Sequence, residues 1–250
     1  MKLPVKDLQR RYASQLAFLR ARLSPHGYFG LQMTVGALVL IAASWLFGGV
    51  SEDVLTGDPL TVVDQFLVDW FHAHAVPLVT QFMLIVSNLH GVVAISIYAL
   101  LFSIYLLWMR EWFWLVCLAT TVPGGMLLNV LTKHTFQRAR PNVGDPMLVL
   151  STYSYPSGHV TGTVLFYGVL GAMLIARIDV WRWRVLIAIT ATALVLLVAL
   201  SRMYLGAHFL SDVIAAFAEA VAWLSICLTG THTWWKHRNQ FQRAKTPNVS

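Results

Sequence analysis

Long apolar runs constrain the fold of this chain more than any other feature. A membrane-spanning helix needs about 20 consecutive apolar residues, because backbone groups without hydrogen-bond partners are not tolerated in lipid. Hydrophobic residues make up 57% of the 250 residues and charged residues only 12%. We therefore predict an integral membrane protein of the all-α class, a bundle of six transmembrane helices. The predicted spans are residues 29–50, 92–109, 112–132, 160–177, 185–201 and 207–229.

Two further segments are expected on the outer face of this bundle. Residues 77–88 are apolar but too short to cross alone, so they form either a partial insertion or an extension of the next helix beyond Gly91. Upstream, apolar residues recur at helical spacing, with Asp64, Gln65 and Asp69 on the other side. This pattern predicts a helix in the membrane interface, with a buried connector helix as an equal alternative. The apolar positions are Val62, Val63, Phe66, Leu67, Trp70 and Phe71.

The chain is expected to form one domain, since it contains no internal repeat, low-complexity tract or dividing linker. A basic, helix-prone segment (residues 1–28) precedes a transmembrane domain (29–229), and a basic tail (230–250) follows it. The first apolar run is longer than a signal-peptide core and lacks a convincing cleavage site, so we expect it to be retained. Cys117 and Cys227 both fall inside predicted spans and are interpreted as packing residues rather than a disulfide or a metal site.

The distribution of basic residues orients the bundle. Six spans place both termini on one side, and that side carries fourteen of the eighteen Lys and Arg residues. Basic residues are concentrated in cytoplasmic segments, so both termini are expected in the cytoplasm of a cell whose plasma membrane holds the protein. The net charge of +7 therefore belongs to the membrane topology and does not indicate nucleic-acid binding.

Four cations remain on the outer face, against this bias. An anionic ligand would explain three of them, Lys133, Arg140 and Arg202, because arginine suits two-pronged phosphate contact and lysine acts as a compact charge. Arg138 is instead expected to extend to lipid headgroups or to pair with an aspartate. The candidate partners of Arg138 are Asp145 and Asp212.

Pro156-Ser157-Gly158-His159 directly precedes an apolar run and predicts a helix start at the outer face. Ser157 can cap the helix, and Gly158 lets the backbone approach a ligand closely. The unpaired N–H groups of a helix N-terminus favour phosphate. Taken alone, the pattern is more typical of an ordinary helix start than of a functional site.

His208 and Asp212 are four residues apart, which places them on one helical face within hydrogen-bonding reach. An aspartate that accepts from one imidazole nitrogen leaves the other free to attack phosphorus. A capping aspartate beside a structural histidine is the alternative. Under the six-span topology the helix ends that carry Lys133, His159, Arg202 and His208 all emerge on the same face, and this convergence favours a phosphate site.

Three groups of residues together resemble the three-part motif of the type 2 phosphatidic acid phosphatase (PAP2) superfamily, in its membrane-bound branch. They are Lys133 with Arg140-Pro141, then Pro156-Ser157-Gly158-His159, then Ser201-Arg202 with His208 and Asp212. The resemblance implies that His208 forms a phosphohistidine, that Asp212 orients it and that His159 protonates the leaving oxygen. It also implies that Lys133, Arg140, Arg202, Ser157 and the Gly158 amide hold the phosphoryl oxygens, without a metal or another cofactor.

The expected function is that of a lipid phosphate or diphosphate phosphatase acting on substrate within the membrane, at its outer face. Isoprenyl diphosphates such as undecaprenyl diphosphate, phosphatidic acid and phosphatidylglycerol phosphate are the substrate classes that the family implies. Transfer of the phosphate to another lipid is an alternative with the same intermediate. A non-catalytic binder or transporter is disfavoured because binding needs neither His159 nor the His208 and Asp212 pair. The six spans argue against the family's soluble vanadium haloperoxidases, and we expect no obligate protein partner.

Two polar residues lie deeper in the predicted spans. Glu219 follows Asp212 by seven residues, hence on nearly the same helical face, and we expect a protonated, hydrogen-bonded structural residue rather than a functional one. Asn129, one turn before Lys133, either supports the site or packs as a polar residue.

Overall fold

The computed structural model describes residues 12–14, 17, 30–57, 59–142 and 152–245, with side chains as far as residue 240. Most of the predicted basic segment 1–28 lies outside these residues. The secondary structure of the described chain consists of eight α-helices. They are α1 (Leu31–Thr56), α2 (Pro59–Ala73), α3 (Pro77–Leu89), α4 (Val92–Trp108), α5 (Trp112–Phe136), α6 (Gly158–Arg177), α7 (Trp181–Tyr204) and α8 (Leu210–Lys245).

The lengths and compositions of these helices give five candidate membrane spans, or six if one bent pair of helices counts as a span. Helices α1, α5, α6, α7 and α8 are each long and apolar enough to cross a membrane. Helices α3 and α4 qualify only together, as one span bent by 45° at the break around His90 and Gly91. The predicted all-helical bundle is thus confirmed. Residues 77–88 lie in a separate helix, α3, which forms with α4 either a broken span or a re-entrant loop.

The helices extend beyond the apolar runs that predicted them. Helix α1 continues to Thr56 and α5 to Phe136, because polar residues with adequate helix propensity prolong a helix past its hydrocarbon-spanning part. Helix α8 begins at Leu210 rather than at residue 207, so His208 lies in the preceding turn. It also runs on to Lys245, and the predicted tail from residue 230 is therefore largely a continuation of the last helix.

The core of the bundle lies where α5, α6 and α8 meet. Val160, Leu165 and Val169 on α6 are completely buried. Helix α7 covers another side of α6, and α1 packs along α8. Cys117 and Cys227 are buried free thiols, in agreement with their interpretation as packing residues. This core fixes the starts of α6 and α8 relative to each other.

Helix α2 is present as predicted, but its polar side was assigned incorrectly at one position. Asp69 is exposed, whereas Asp64 is only 1% exposed. Val62 and Phe66 remain 70% and 64% exposed, which contradicts the buried-connector alternative and suits contact with lipid. Asp64 is buried because Arg138 and Ser211 supply partners for its charge. Helical periodicity alone contains no information about such partners.

Candidate active site

The structure brings together all eight residues that the sequence selected. The C-terminal ends of α5 and α7 contribute Lys133 and Arg202, and the loop after α5 contributes Arg140. The start of α6 contributes Ser157, Gly158 and His159, and the turn into α8 contributes His208 and Asp212. Backbone contacts join these elements. The Ser157 N–H donates to the Asp212 carbonyl (3.1 Å), and the His208 N–H to the Arg202 carbonyl (3.2 Å).

His208 has the geometry of a nucleophile with one nitrogen held. Its ring is 2% exposed, and Nδ1 lies 3.3 Å from Oδ2 of Asp212. The other nitrogen, Nε2, lies 3.4 Å from Nη1 of Arg140. Burial lowers the pKa of His208 from 6.5 to about 3, although Asp212 acts in the opposite direction. The imidazole is therefore neutral at physiological pH, and one nitrogen keeps a lone pair.

Asp212 is held by several donors at the start of α8. Its Oδ2 accepts from the N–H of Phe209 (2.9 Å), the residue just before α8. An acidic side chain in the first helical turn makes the same contact in a capping box. The Ser154 hydroxyl also donates to Oδ2. Arg138 donates through Nη1 to Oδ1 (2.7 Å). The ion pair expected between Arg138 and Asp212 is present, whereas Asp145 lies outside the described residues.

Lys133 and Arg140 hold the loop that lines the site. Nζ of Lys133 donates to the carbonyls of Tyr153 (2.9 Å) and Pro156 (2.7 Å). Arg140 donates through Nε to the Thr152 carbonyl and through Nη1 to the Ala207 carbonyl, both at 2.7 Å. Burial lowers the pKa of Arg140, and Asp212 opposes that shift. Arg140 thus stands beside His208, and both cations order the backbone around the site.

Two buried polar atoms at the site have no hydrogen-bond partner within the described part of the chain: Oγ of Ser157 and Nε of Arg202. Ser157 occupies the N-cap position of α6, but its side chain makes no capping hydrogen bond, contrary to expectation. Arg202 is 2% exposed and donates through Nη1 to the hydroxyl of Ser87. Unsatisfied buried polar groups are costly, so their presence indicates a place for a polar ligand.

Gly158, the first residue of α6, lies close to α5. A Cβ atom at this position would stand 3.3 Å from Oδ1 of Asn129 and 4.0 Å from Cε of Lys133. The absence of a side chain leaves the first amides of α6 open toward the site. Across the site, a Cβ on Gly91 would lie 3.5 Å from Nε2 of His159, so the break between α3 and α4 borders that histidine.

Glu219 and Asn129 form a buried polar layer beneath the start of α6. Glu219 is 5% exposed and accepts from Thr132 (2.6 Å) and Asn129 (3.2 Å). Asn129 also donates to Oγ1 of Thr161 (3.0 Å). A hydrogen-bonded structural role for Glu219 agrees with these contacts, while its protonation stays a prediction. Asn129 supports the site rather than merely filling space.

Sequence reasoning missed several residues that touch the site: Asp64, Ser87, Thr152 and Ser154. All four reach it through contacts distant in sequence, for which a single chain gives no periodic signal.

In the described residues, no three His, Cys, Asp or Glu side chains are grouped as a metal site would require.

Comparison with known proteins gives concordant matches. The family model of the PAP2 superfamily matches residues 112–236. Phosphatidylglycerophosphatase B of Bacillus subtilis (strain 168) is 33% identical over 93 residues, which are 37% of this chain and 45% of that protein, so the match spans less than half of the relative's length. The crystal structure of a transmembrane PAP2 type phosphatidylglycerolphosphate phosphatase from Bacillus subtilis matches with a TM-score of 0.69 and 20% identity. That match covers 79% of this chain and 96% of the solved one, and it establishes likeness of fold.

Proposed function

Because the chain belongs to the PAP2 superfamily, we propose that it is a membrane phosphatase that removes a phosphate group from a lipid through a phosphohistidine on His208. One observation carries the proposal. His208 is held at Nδ1 by Asp212, while its Nε2 stands beside the guanidinium of Arg140. This is the arrangement that a histidine nucleophile requires, with its tautomer fixed and a cation next to the incoming phosphate.

The reaction proceeds in two steps. Nε2 of His208 attacks phosphorus and forms the P–N bond as the P–O bond to the lipid breaks. His159 donates its proton to the leaving oxygen, and Nδ1–H of His208 remains hydrogen-bonded to Asp212. Water, giving a proton to His159, then attacks phosphorus, so that inorganic phosphate leaves and His208 is restored.

Charge stabilisation comes from the groups around the phosphoryl oxygens. Lys133, Arg140 and Arg202 supply three positive charges, and the unpartnered Ser157 hydroxyl and Arg202 Nε supply unused donors. Preorganised donors in a partly dehydrated site stabilise developing negative charge more strongly than water does.

Phosphatidylglycerol phosphate is the substrate that we propose first. Both relatives named above carry phosphatidylglycerophosphatase or phosphatidylglycerolphosphate phosphatase in their names. Phosphatidic acid and isoprenyl diphosphates are the competing substrates. Purified protein is to be assayed for phosphate release from all three, with and without an added acceptor lipid. A preference for phosphatidylglycerol phosphate supports the proposal, and a product that depends on acceptor lipid would indicate phosphotransfer instead.

Two histidine variants test the intermediate. His208→Ala should abolish both turnover and labelling of the protein by phosphate-labelled substrate. His159→Ala should still form the labelled intermediate slowly, because it retains the nucleophile. His72→Ala, an exposed histidine at the end of α2, is the matched control and should behave as the unmodified protein. Labelled phosphate that persists on the His208→Ala protein would overturn the assignment.

We also propose that the protein lies in the plasma membrane with both termini in the cytoplasm and the site on the outer face. The concentration of basic residues on the side of the termini supports this orientation. Single cysteines at exposed Asn142 and Asn239, in a chain without Cys117 and Cys227, should differ in reactivity. A membrane-impermeant thiol reagent should label intact cells at position 142 only. Labelling at position 239 only would place the chemistry in the cytoplasm.

A further inference from the structure

A buried carboxylate outside the region matched by the family model lies directly against the site. Asp64 on α2 is 1% exposed, and the matched region begins at residue 112. Burial of a charge is costly unless partners compensate for it. Oδ1 of Asp64 accepts from the Ser211 N–H (2.9 Å), and Oδ2 accepts from the Ser211 hydroxyl and from Nη2 of Arg138 (2.9 Å).

Arg138 connects this carboxylate to the site. Its guanidinium donates through Nη2 to Asp64 and through Nη1 to Oδ1 of Asp212 (2.7 Å). The Arg138 side chain is 15% exposed, and its guanidinium carbon lies 4.3 Å from the centre of the Phe209 ring. A guanidinium is planar and rigid, so fixing one of its edges also fixes the direction of the other. Asp64 thereby determines where Arg138 presents Nη1.

The two oxygens of Asp212 have separate tasks. Oδ1 accepts from Arg138, while Oδ2 accepts from the Phe209 N–H and lies 3.3 Å from Nδ1 of His208. A carboxylate rotates readily about its last bond unless both oxygens are held. Contact with Arg138 at Oδ1 therefore maintains Oδ2 in the plane that His208 needs.

We propose that Asp64 is a positioning residue for the reaction, acting through Arg138 to orient the carboxylate of Asp212 that holds His208. The inference rests on the proposed function, because it assigns Asp64 to the same phosphohistidine chemistry. Asp64 touches neither the histidine nor the phosphate position. Its effect is expected on the rate of the chemical step rather than on substrate binding.

A purely structural alternative exists, since Asp64 also accepts from the first turn of α8 at Ser211. Asp64→Asn separates the two roles. The amide oxygen of asparagine still accepts from the Ser211 N–H, whereas the negative charge opposite Arg138 is lost. Asp69→Asn is the matched control, because Asp69 is an exposed carboxylate on the same helix whose partner is Gln65.

The test is a double-mutant cycle of Asp64→Asn and Arg138→Gln, with kcat and KM for lipid phosphate measured for each purified protein. Residues that orient the ligands of a metal site contribute roughly ten- to hundredfold to activity. By analogy, we expect kcat of Asp64→Asn to fall by roughly ten- to hundredfold with KM unchanged. The double variant should be no slower than Arg138→Gln alone, because Asp64 acts through Arg138. Asp69→Asn should match the unmodified protein.

Several results would overturn the inference. One is an Asp64→Asn protein with the same kcat as Asp69→Asn. Another is a double variant in which the losses of kcat from the two single variants multiply. The third is a change in KM without a change in kcat. If Asp64→Asn does not fold, Arg138→Lys is measured instead, because lysine keeps the positive charge but cannot bridge two carboxylates. An unchanged kcat in Arg138→Lys would also overturn the inference. Failure of the proposed function is distinguishable, because the unmodified protein would then form no phosphohistidine at all.

Discussion

In the proposed mechanism, the hydroxyl of Ser157 contributes to ligand binding and not to folding. Replacement of an N-cap serine by alanine ordinarily costs about 1 kcal/mol of stability. Here the side chain makes no capping hydrogen bond, and Oγ has no partner among the described residues. We therefore expect Ser157→Ala to leave the melting temperature unchanged and to raise KM for lipid phosphate.

Ser51→Ala provides the contrast for that experiment. The Ser51 hydroxyl lies 2.7 Å from the hydroxyl of buried Tyr155, and loss of such a bond costs on the order of 1 kcal/mol. This variant should lower the melting temperature without changing KM. If Ser157→Ala were the less stable of the two and bound substrate normally, its hydroxyl would have to be structural.

The pKa of His208 predicts an unusual acid limit for activity. Burial lowers this pKa to about 3, and the nucleophilic form is the neutral one, so protonation does not remove the nucleophile until the pH falls far below 6.5. We expect kcat/KM to show no loss attributable to this histidine between about pH 7 and pH 5, where an ordinary histidine becomes charged. A loss of activity centred near pH 6.5 that persists in a His159→Ala protein would contradict the lowered pKa of His208.

Residue-level prediction from the sequence succeeded where chemistry depends on local spacing. The four-residue interval between His208 and Asp212 placed them within reach of each other, as the 3.3 Å contact shows. It failed at Asp64, which was placed on a solvated face of α2. Helical periodicity determines which residues share a face, but the partners of that face, Arg138 and Ser211, come from distant parts of the chain.

Among the helices, close packing of α5 against α6 and α8 depends on Gly125. A Cβ atom there would lie 2.4 Å from Cδ1 of Leu165 and 2.9 Å from Cδ1 of Trp223. We expect Gly125→Ala to destabilise the protein by about 1–3 kcal/mol, the usual cost of overpacking a filled core. Gly48→Ala on α1 is the control, since no atom lies within 4 Å of its added Cβ. Denaturation in detergent checks both, and equal stability of the two variants would contradict the close packing.

The helices themselves were largely predictable because hydrocarbon demands long apolar runs. Hydropathy does not show where a helix begins or ends. Helix α8 starts at Leu210 rather than at residue 207, and it continues past the predicted end at residue 229 to Lys245. Nor did hydropathy resolve the 45° bend between α3 and α4. Next to the bend, Ser87 accepts from Arg202 and Gly91 lies beside His159, and both contacts form only in the folded bundle.

At the scale of the whole molecule, the fold gathers helix ends that are far apart in sequence. Antiparallel spans return alternate helix ends to one face, which is why the topology alone predicted the convergence of Lys133, His159, Arg202 and His208. The solved transmembrane PAP2 structure matches with a TM-score of 0.69 at only 20% identity. The fold of the bundle therefore tolerates replacement of most side chains.

The charge arrangement of the whole site predicts activity that survives chelation and is blocked by vanadate. Lys133, Arg140 and Arg202 supply the positive charge that a divalent ion would otherwise provide, and the start of α6 adds directed donors. Vanadate bound to Nε2 of His208 would adopt the five-coordinate geometry of the reacting phosphorus. Its affinity should fall most in Arg140→Ala, Arg202→Ala and His208→Ala. Arg177→Ala, which removes an ion pair with Glu111 at the other end of α6, should leave inhibition unchanged. If activity disappeared with chelator and returned with a divalent ion, a metal-dependent mechanism would replace the one proposed.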